Sequence, residues 1–269
     1  MAPRSTFPDM PFDLSSFRLD GRSALVIGGS RGIGLGIASA LHAAGARVAL
    51  AARSNESLLE AALALRLSAP DASVFPVDVR SVAAVQGLVR DVHSAFGRLD
   101  ILVNSAGVNI RKPADEIDEH DWDALFEINL RAMFFACQAA ARVMRAQGDG
   151  RILNVGSGAD LLSVTNIAPY AISKAGVRQL TRALAAEWAS DGIRVNAVAP
   201  GRVRTALTEA VFADPVTHAE ILEAIPLGRA SVPDDLAGAS LLLVSDAGAY
   251  ITGQTLSVDG GWNLGLVGA

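Results

Sequence analysis

The side chains best suited to chemistry lie between Ser157 and Lys174, and their centre is Tyr170-Ala-Ile-Ser-Lys174. A tyrosine and a lysine four residues apart share one face of a helix, one turn from each other. A free phenol ionises near pH ~10 and is a poor base at neutral pH. A nearby ammonium favours the phenolate and is expected to lower that pKa. The pair is then suited to pass a proton to or from an alcohol oxygen. Ser157, thirteen residues before Tyr170, is placed to hold the same oxygen by hydrogen bond. Tyr-x-x-x-Lys alone is more often a surface pair than a site. It gains weight here from Gly28-Gly-Ser-Arg-Gly-Ile-Gly34 and Asn104-Ser-Ala-Gly107 upstream.

These residues need a scaffold, and the hydrophobic pattern supplies one. Ser23–Ile27 is a short apolar run that reads as a buried parallel strand. The glycine turn follows, then a helix to about Ala44 stopped by Gly45, then a strand from Arg47 to Ala52. That order is the first βαβ unit of a dinucleotide fold. The glycines let the backbone approach a pyrophosphate, and the helix N-terminus offers free N–H groups. Further strands are expected over 73–78, 99–103, 151–155, 192–198 and 255–258. Helices are expected over 55–67, 81–96, 120–147, 170–188 and 233–245, the third of these interrupted near Asn129. A mid-helix asparagine usually faces solvent; if buried, it must find partners. The count is about seven strands alternating with helices in one α/β domain, doubly wound and Rossmann-like, with helices on both sheet faces. Residues 1–18 read as a loose arm before a single domain over 19–269, and 202–226 as a substrate lid.

The end of the second strand discriminates between cofactors. An acid there binds the ribose 2′-OH of NAD, whereas a nearby arginine accommodates the 2′-phosphate of NADP. The strand ends Leu50-Ala-Ala-Arg53 without an acid, and Arg31 lies inside the glycine turn. Both arginines are placed to clamp a phosphate, so NADP is favoured, with NAD as second choice. Asp78 closes the third strand, where it either accepts from an adenine amino group or caps the next helix. Arg111, Lys112 and Arg202 lie where a pocket mouth is expected and could bind a carboxylate.

Composition sets limits. The chain has 269 residues, half of them apolar, few aromatic, with a net charge of −5, which suits close helix-on-sheet packing and gives no reason to expect nucleic acid or an anionic membrane. The one cysteine, Cys137, sits among apolar neighbours and reads as a buried thiol. No apolar run approaches the ~20 residues of a membrane span, and the N-terminus lacks a secretory h-region. No metal-ligand spacing stands out. A reducing, cytoplasmic setting is expected.

Taken together, the motifs from Gly28 to Gly34, at 104–107, Asn129, Ser157, Tyr170 to Lys174, Pro200-Gly201, and Ile251-Thr-Gly-Gln-Thr-Leu-Ser-Val-Asp-Gly-Gly261 resemble the short-chain dehydrogenase/reductase family. The resemblance implies a homotetramer and a catalytic tetrad of Asn129, Ser157, Tyr170 and Lys174. It implies cofactor contacts from Gly28, Ser30, Arg31, Gly32, Ile33, Gly34, Asp78, Val79, Asn104, Ala106, Gly107, Pro200, Gly201, Val203 and Thr205, with Arg53 added from the strand end. Two positions depart from the family pattern: Ile27 stands where threonine is usual, and Ser105 where asparagine is usual. A missing threonine brace is worth about 0.5–1.5 kcal/mol. Within the family, Gly107-Val-Asn-Ile-Arg111 and Asn166-Ile-Ala-Pro-Tyr170 resemble enzymes of sugar acids and polyols, such as gluconate 5-dehydrogenases. The expected activity is interconversion of a secondary alcohol and a ketone on a small keto/hydroxy substrate. The alternatives are a 3-oxoacyl thioester reductase and a non-catalytic cofactor sensor.

Overall fold

The computed structural model describes residues 13–69, 73–162, 164–206 and 208–264. Seven parallel strands form one sheet in the order β3-β2-β1-β4-β5-β6-β7. They are β1 Ser23–Ile27, β2 Arg47–Ala52, β3 Val74–Pro76, β4 Ile101–Asn104, β5 Gly150–Val155, β6 Ile193–Pro200 and β7 Thr255–Val258. The helices are α1 Gly32–Ala43, α2 Asn55–Ala64, α3 Val82–Phe96, α4 Glu119–Phe126, α5 Ala132–Gln147, α6 Ala168–Trp188, α7 Glu209–Phe212, α8 Pro215–Glu223 and α9 Ala237–Val244.

Strand alternation divides the interior into two cores. Leu25 and Ile27 of β1 join Val85, Leu88, Cys137, Met144 and Val177 from α3, α5 and α6. Ala24 and Val26 join Ile37, Leu41, Leu58 and Leu243 from α1, α2 and α9. Helices therefore cover both faces, and the expected doubly wound sheet is the one observed. The order reverses between β1 and β4, which opens a crevice at the carboxyl ends of the strands.

Several boundaries differ from expectation for local reasons. The helix expected over 55–67 stops at Ala64. Arg66 takes φ +54°, while Arg66 N–H donates to Leu63 O and Leu67 N–H to Ala62 O. This is a Schellman closure with arginine where glycine is usual, so the sequence carried no stop signal. The third strand shrinks to three residues, and the fourth starts at Ile101. The helix expected over 120–147 is not broken at Asn129: a π turn over Glu127–Arg131 joins α4 to α5. Residues 1–12 of the expected arm lie outside the described residues. Its end is ordered: Leu14–Phe17 form a 3₁₀ turn capped by Asp13, and Leu19 is buried. In the segment over 202–226, α7 and α8 build a separate small apolar cluster of Phe212, Ile221 and Ile225. No helix among the described residues is long and apolar enough to cross a membrane.

Candidate active site

The crevice is floored by backbone. Gly28 has φ +84°, and a Cβ there would lie 2.6 Å from the Ala106 nitrogen; at Gly34 it would lie 2.2 Å from Gly28 O. Side chains are excluded at both positions, so the turn nests against the loop after β4. With Ile27 in place of threonine, the turn is held to its neighbours by main-chain bonds. Gly28 N–H donates to Ala51 O at 2.7 Å, and Ser105 N–H donates to Ile27 O at 2.8 Å. Ile27 itself packs into the core. The N-cap of α1 is Arg31, which makes no side-chain cap, leaving first-turn N–H groups without a side-chain partner. A backbone cradle with free donors at a helix start suits a pyrophosphate, and a dinucleotide fits it. Ser30 and Ile33 belong to the same turn. Thr205 lies over it, its methyl 3.5 Å from where a Gly32 Cβ would stand. The Pro200-Gly201 end of β6 leads to that residue through Val203, which bridges Ser231.

The polar rim is less uniform than the sequence suggests. Arg31 and Arg53 are exposed and make no ion pair among the described residues. Asp78, with Val79 beside it, is gripped by Arg80 through both carboxylate oxygens. That grip holds its carboxyl down at about 2, with a lesser contribution from Arg53. Asp78 neither caps the following helix, a role taken by Ser81, nor has its oxygens free of a protein partner. The Asn104 amide donates to Asn154 Oδ1 at 2.9 Å and to Cys137 Sγ at 3.3 Å, and Asn154 donates to Thr181. Its side chain therefore ties β4 and β5 to α5 and α6 under the crevice. Cys137 is pushed up to about 12 by burial and is no nucleophile.

The four residues expected to do chemistry converge. Lys174 is buried, and its Nζ donates to Val155 O at 2.9 Å. Gly107 packs against this ammonium: a Cβ there would lie 3.7 Å from Nζ. Asn129 is fully buried in the π turn, accepts from Val108 N–H at 2.9 Å and donates to Val108 O at 2.9 Å and Ser173 Oγ at 3.2 Å. A π turn turns an otherwise outward residue inward, and such turns concentrate at functional sites. Asn129 thus clamps the loop after β4 to α6. Ser157 caps its own turn, accepting from Ala159 N–H at 3.2 Å.

One electrostatic expectation is overturned. Burial raises the Tyr170 phenol above its ordinary value; Ser157 pulls it down, and the Asp160 carboxylate adds to the rise. Lys174 does not depress it. Its Nζ is 5.7 Å from the ring centroid and directed at Val155 O. Burial also lowers Lys174 itself, to about 8. Desolvation is the largest influence on both groups, on the half-buried Tyr170 as on the buried Lys174.

Charges near the pocket mouth also sort themselves. Lys112 is paired with Asp121 of α4, so it is not available as an anion site. Arg202 stacks its guanidinium 4.5 Å over the Trp262 ring, and Trp262 packs on Gly158, next to Ser157. Arg202 is lowered by burial and then by the charge of Arg111. Its Nε is buried without a partner, and neither arginine forms an ion pair among the described residues. Trp262, Arg80, Asp160 and Arg178 were not found by sequence reasoning, since no fixed spacing links them to the motifs.

A nested glycine turn at the switch point, a phenol and a buried ammonium beside it, belong to the dinucleotide-dependent oxidoreductases. Known proteins narrow that class. A family described as enoyl-(acyl carrier protein) reductase matches residues 27–263. The D-threitol dehydrogenase of Mycolicibacterium smegmatis is 41% identical over 92% of this chain and 95% of its own. The gluconate 5-dehydrogenase of Gluconobacter oxydans is 39% identical over 93% and 98%. A gluconate 5-dehydrogenase from Burkholderia cenocepacia, solved in complex with NADP and tartrate, superposes with a TM-score of 0.89 at 40% identity, covering 94% of this chain and 99% of that one. The chain belongs to the short-chain dehydrogenase/reductase family, and its activity is oxidoreduction between a secondary alcohol and a ketone.

Proposed function

We propose that this protein is an NADP-dependent dehydrogenase of a small polyhydroxy acid, with Asn129, Ser157, Tyr170 and Lys174 as its catalytic groups. The observation that carries the substrate class is Arg202, stacked on Trp262 near Ser157 and lowered in part by the charge of Arg111, with neither guanidinium in an ion pair among the described residues. Two cations held together invite a carboxylate. The glycine turn from Gly28 to Gly34 would hold the pyrophosphate, and Arg31 and Arg53 the 2′-phosphate. The loops at 104–107 and at 200–205, with Val203 and Thr205, would line the nicotinamide end. When bound, the nicotinamide supplies the two-electron redox chemistry.

The chain's own residues handle the proton and the geometry. Ser157 orients the substrate oxygen. Tyr170, protonated at neutral pH, donates its proton to that oxygen as a ketone is reduced. The phenolate left behind is stabilised by the Ser157 hydroxyl, the group that pulls the Tyr170 pKa down, while Lys174 braces the Val155 carbonyl beside it. Asn129 fixes Val108 and Ser173, and so the spacing between the loop after β4 and α6. Residues 202–226 act as the lid, whose Phe212, Ile221 and Ile225 pack together with Trp262 against them. The protein works in the cytoplasm as a homotetramer. A groove between α4, α5 and α6 is lined by Phe126, Leu130, Phe134, Phe135, Leu180 and Leu184, an apolar face suited to a second copy.

The test compares an aldonate with a neutral polyol on wild type, Arg111→Ala and Arg202→Met. Losing a charge-assisted bond costs about 1.5–3 kcal/mol, so kcat/KM for the aldonate should fall roughly 10- to 100-fold while the polyol is unaffected. Equal losses on both substrates would instead support a neutral polyol. That second reading has its own motive in the threitol and galactitol dehydrogenases among the relatives.

A further inference from the structure

Ser157 sits between two tethers that run from α6 to the end of β5. On one side Lys174 Nζ donates to Val155 O at 2.9 Å. On the other, Arg178 grips Asp160 as a fork, with Nε to Oδ2 at 2.8 Å and a terminal nitrogen to Oδ1 at 3.1 Å. Val155 and Asp160 flank Ser157 in the chain, while Arg178 lies four residues past Lys174 and eight past Tyr170. The Asp160 carboxylate is wholly excluded from solvent, and Arg178 is 28% exposed. Asp160 also closes the 3₁₀ turn that starts at Gly158, its N–H donating to Ser157 O at 3.1 Å.

We propose that the Asp160–Arg178 ion pair is a positioning device for proton transfer: it fixes the turn carrying Ser157 against the helix face carrying Tyr170 and Lys174. The proposal rests on Tyr170 being the acid–base group, as read above. A buried ion pair is a weak source of stability, because hydrophobic replacement often does as well. It does impose register, since a planar fork tolerates little rotation. Here the register set is that of the serine relative to the tyrosine. The pair also balances charge. Asp160 faces both Tyr170 and Lys174 and raises each of them. Arg178 offsets that carboxylate from the same helix.

The other elements around the phenol contribute little competing charge. The loop after β4 meets Lys174 through Gly107, and its nearest cation is Arg111. The π turn offers neutral Asn129, with Glu127 and Arg131 paired to each other. On α4, Asp121 is paired with Lys112. The loops after β6 and β7 bring Arg202 and Asp259, the latter accepting from Gly261 and Asn263 N–H groups.

The chain has two tyrosines, so Tyr250→Phe at a fully exposed position leaves Tyr170 as the single phenol. Tyrosinate absorbance of the ligand-free protein then reports Tyr170 alone, and steady-state kinetics are run beside it. Asp160→Asn leaves an uncompensated guanidinium and should move the midpoint down by roughly one unit. Arg178→Gln leaves an uncompensated carboxylate and should move it up by a similar amount. The double variant should return near the parent midpoint yet lose roughly ten-fold or more in kcat with KM little changed, because register is gone. Arg178→Lys, which keeps charge and loses the fork, should show the parent midpoint with reduced kcat, and it serves if a charge-removing variant does not fold. Midpoints that stay put or move in the same direction overturn the proposal, as does a double variant with parental kcat. Failure of the acid–base reading is separate and would appear as an active Tyr170→Phe.

Discussion

The two edges of this sheet use arginine in opposite ways. At the amino ends of the strands, Arg22, Arg98 and Arg151 are matched to Asp100, Asp149 and Asp246. Asp100 also accepts from Ser23 N–H at 2.8 Å, so the network stitches the starts of β1, β4 and β5. At the carboxyl ends, Arg31, Arg53, Arg111 and Arg202 form no ion pair among the described residues, although Arg80, Arg178 and Arg204 nearby do. A matched cation holds the fold; an unmatched one, kept near a cleft against its own repulsion, is available to an anionic ligand. The comparison predicts that substitutions at the carboxyl edge alter function with little effect on stability, and the reverse at the amino edge.

The most severe break should come from Tyr170→Phe. Loss of a general acid lowers kcat/KM by about 10²- to 10⁴-fold, with melting temperature unchanged. Because Tyr170 is raised, ketone reduction should be favoured at neutral pH and alcohol oxidation should climb through the alkaline range, which rate profiles in both directions would show.

Lys174 extends the comparison to stability. Its folded pKa is about 8 against an ordinary 10.5, so the unfolded chain holds more protons between those values. Wild type should therefore gain on Lys174→Met by roughly 3 kcal/mol as pH rises through that window. Below it, the buried ammonium is a burden, and the inactive variant should melt no lower. Denaturant titrations at several pH values measure this. Next, Arg31→Ala with Arg53→Ala should weaken NADPH binding about 10- to 100-fold and leave NADH untouched, read by nicotinamide fluorescence. The smallest effect is at the other edge. Arg151→Met should cost about 1–2 kcal/mol, because its partners Asp149 and Asp246 are partly exposed, and leave kinetics alone.

Much of the fold was legible because its elements carry local signals. Five buried residues bounded by glycine define β1, and Ser81 marks the start of α3 while Gly97 marks its end. Where no local signal existed, the reading slipped. Arg66 ends α2 in a conformation normally reserved for glycine, and nothing in the sequence distinguishes a π turn at Asn129 from a break. The site followed the same rule. Tyr170 and Lys174 are one helical turn apart and could be paired from spacing. Arg202 and Trp262 are sixty residues apart and meet through folding alone.

The sequence by itself determined the strand–turn–helix order, the glycines of the turn between them, and the residue types available for proton transfer. Those follow from backbone sterics and helical periodicity, which act over a few residues. The tertiary structure decided the rest: that Asp78 is held by Arg80, that Lys112 is claimed by Asp121, and that burial raises Tyr170 where its neighbour Lys174 was expected to lower it. Charge and desolvation are properties of the surroundings, and the surroundings of each group here come from strands and loops far away in the chain.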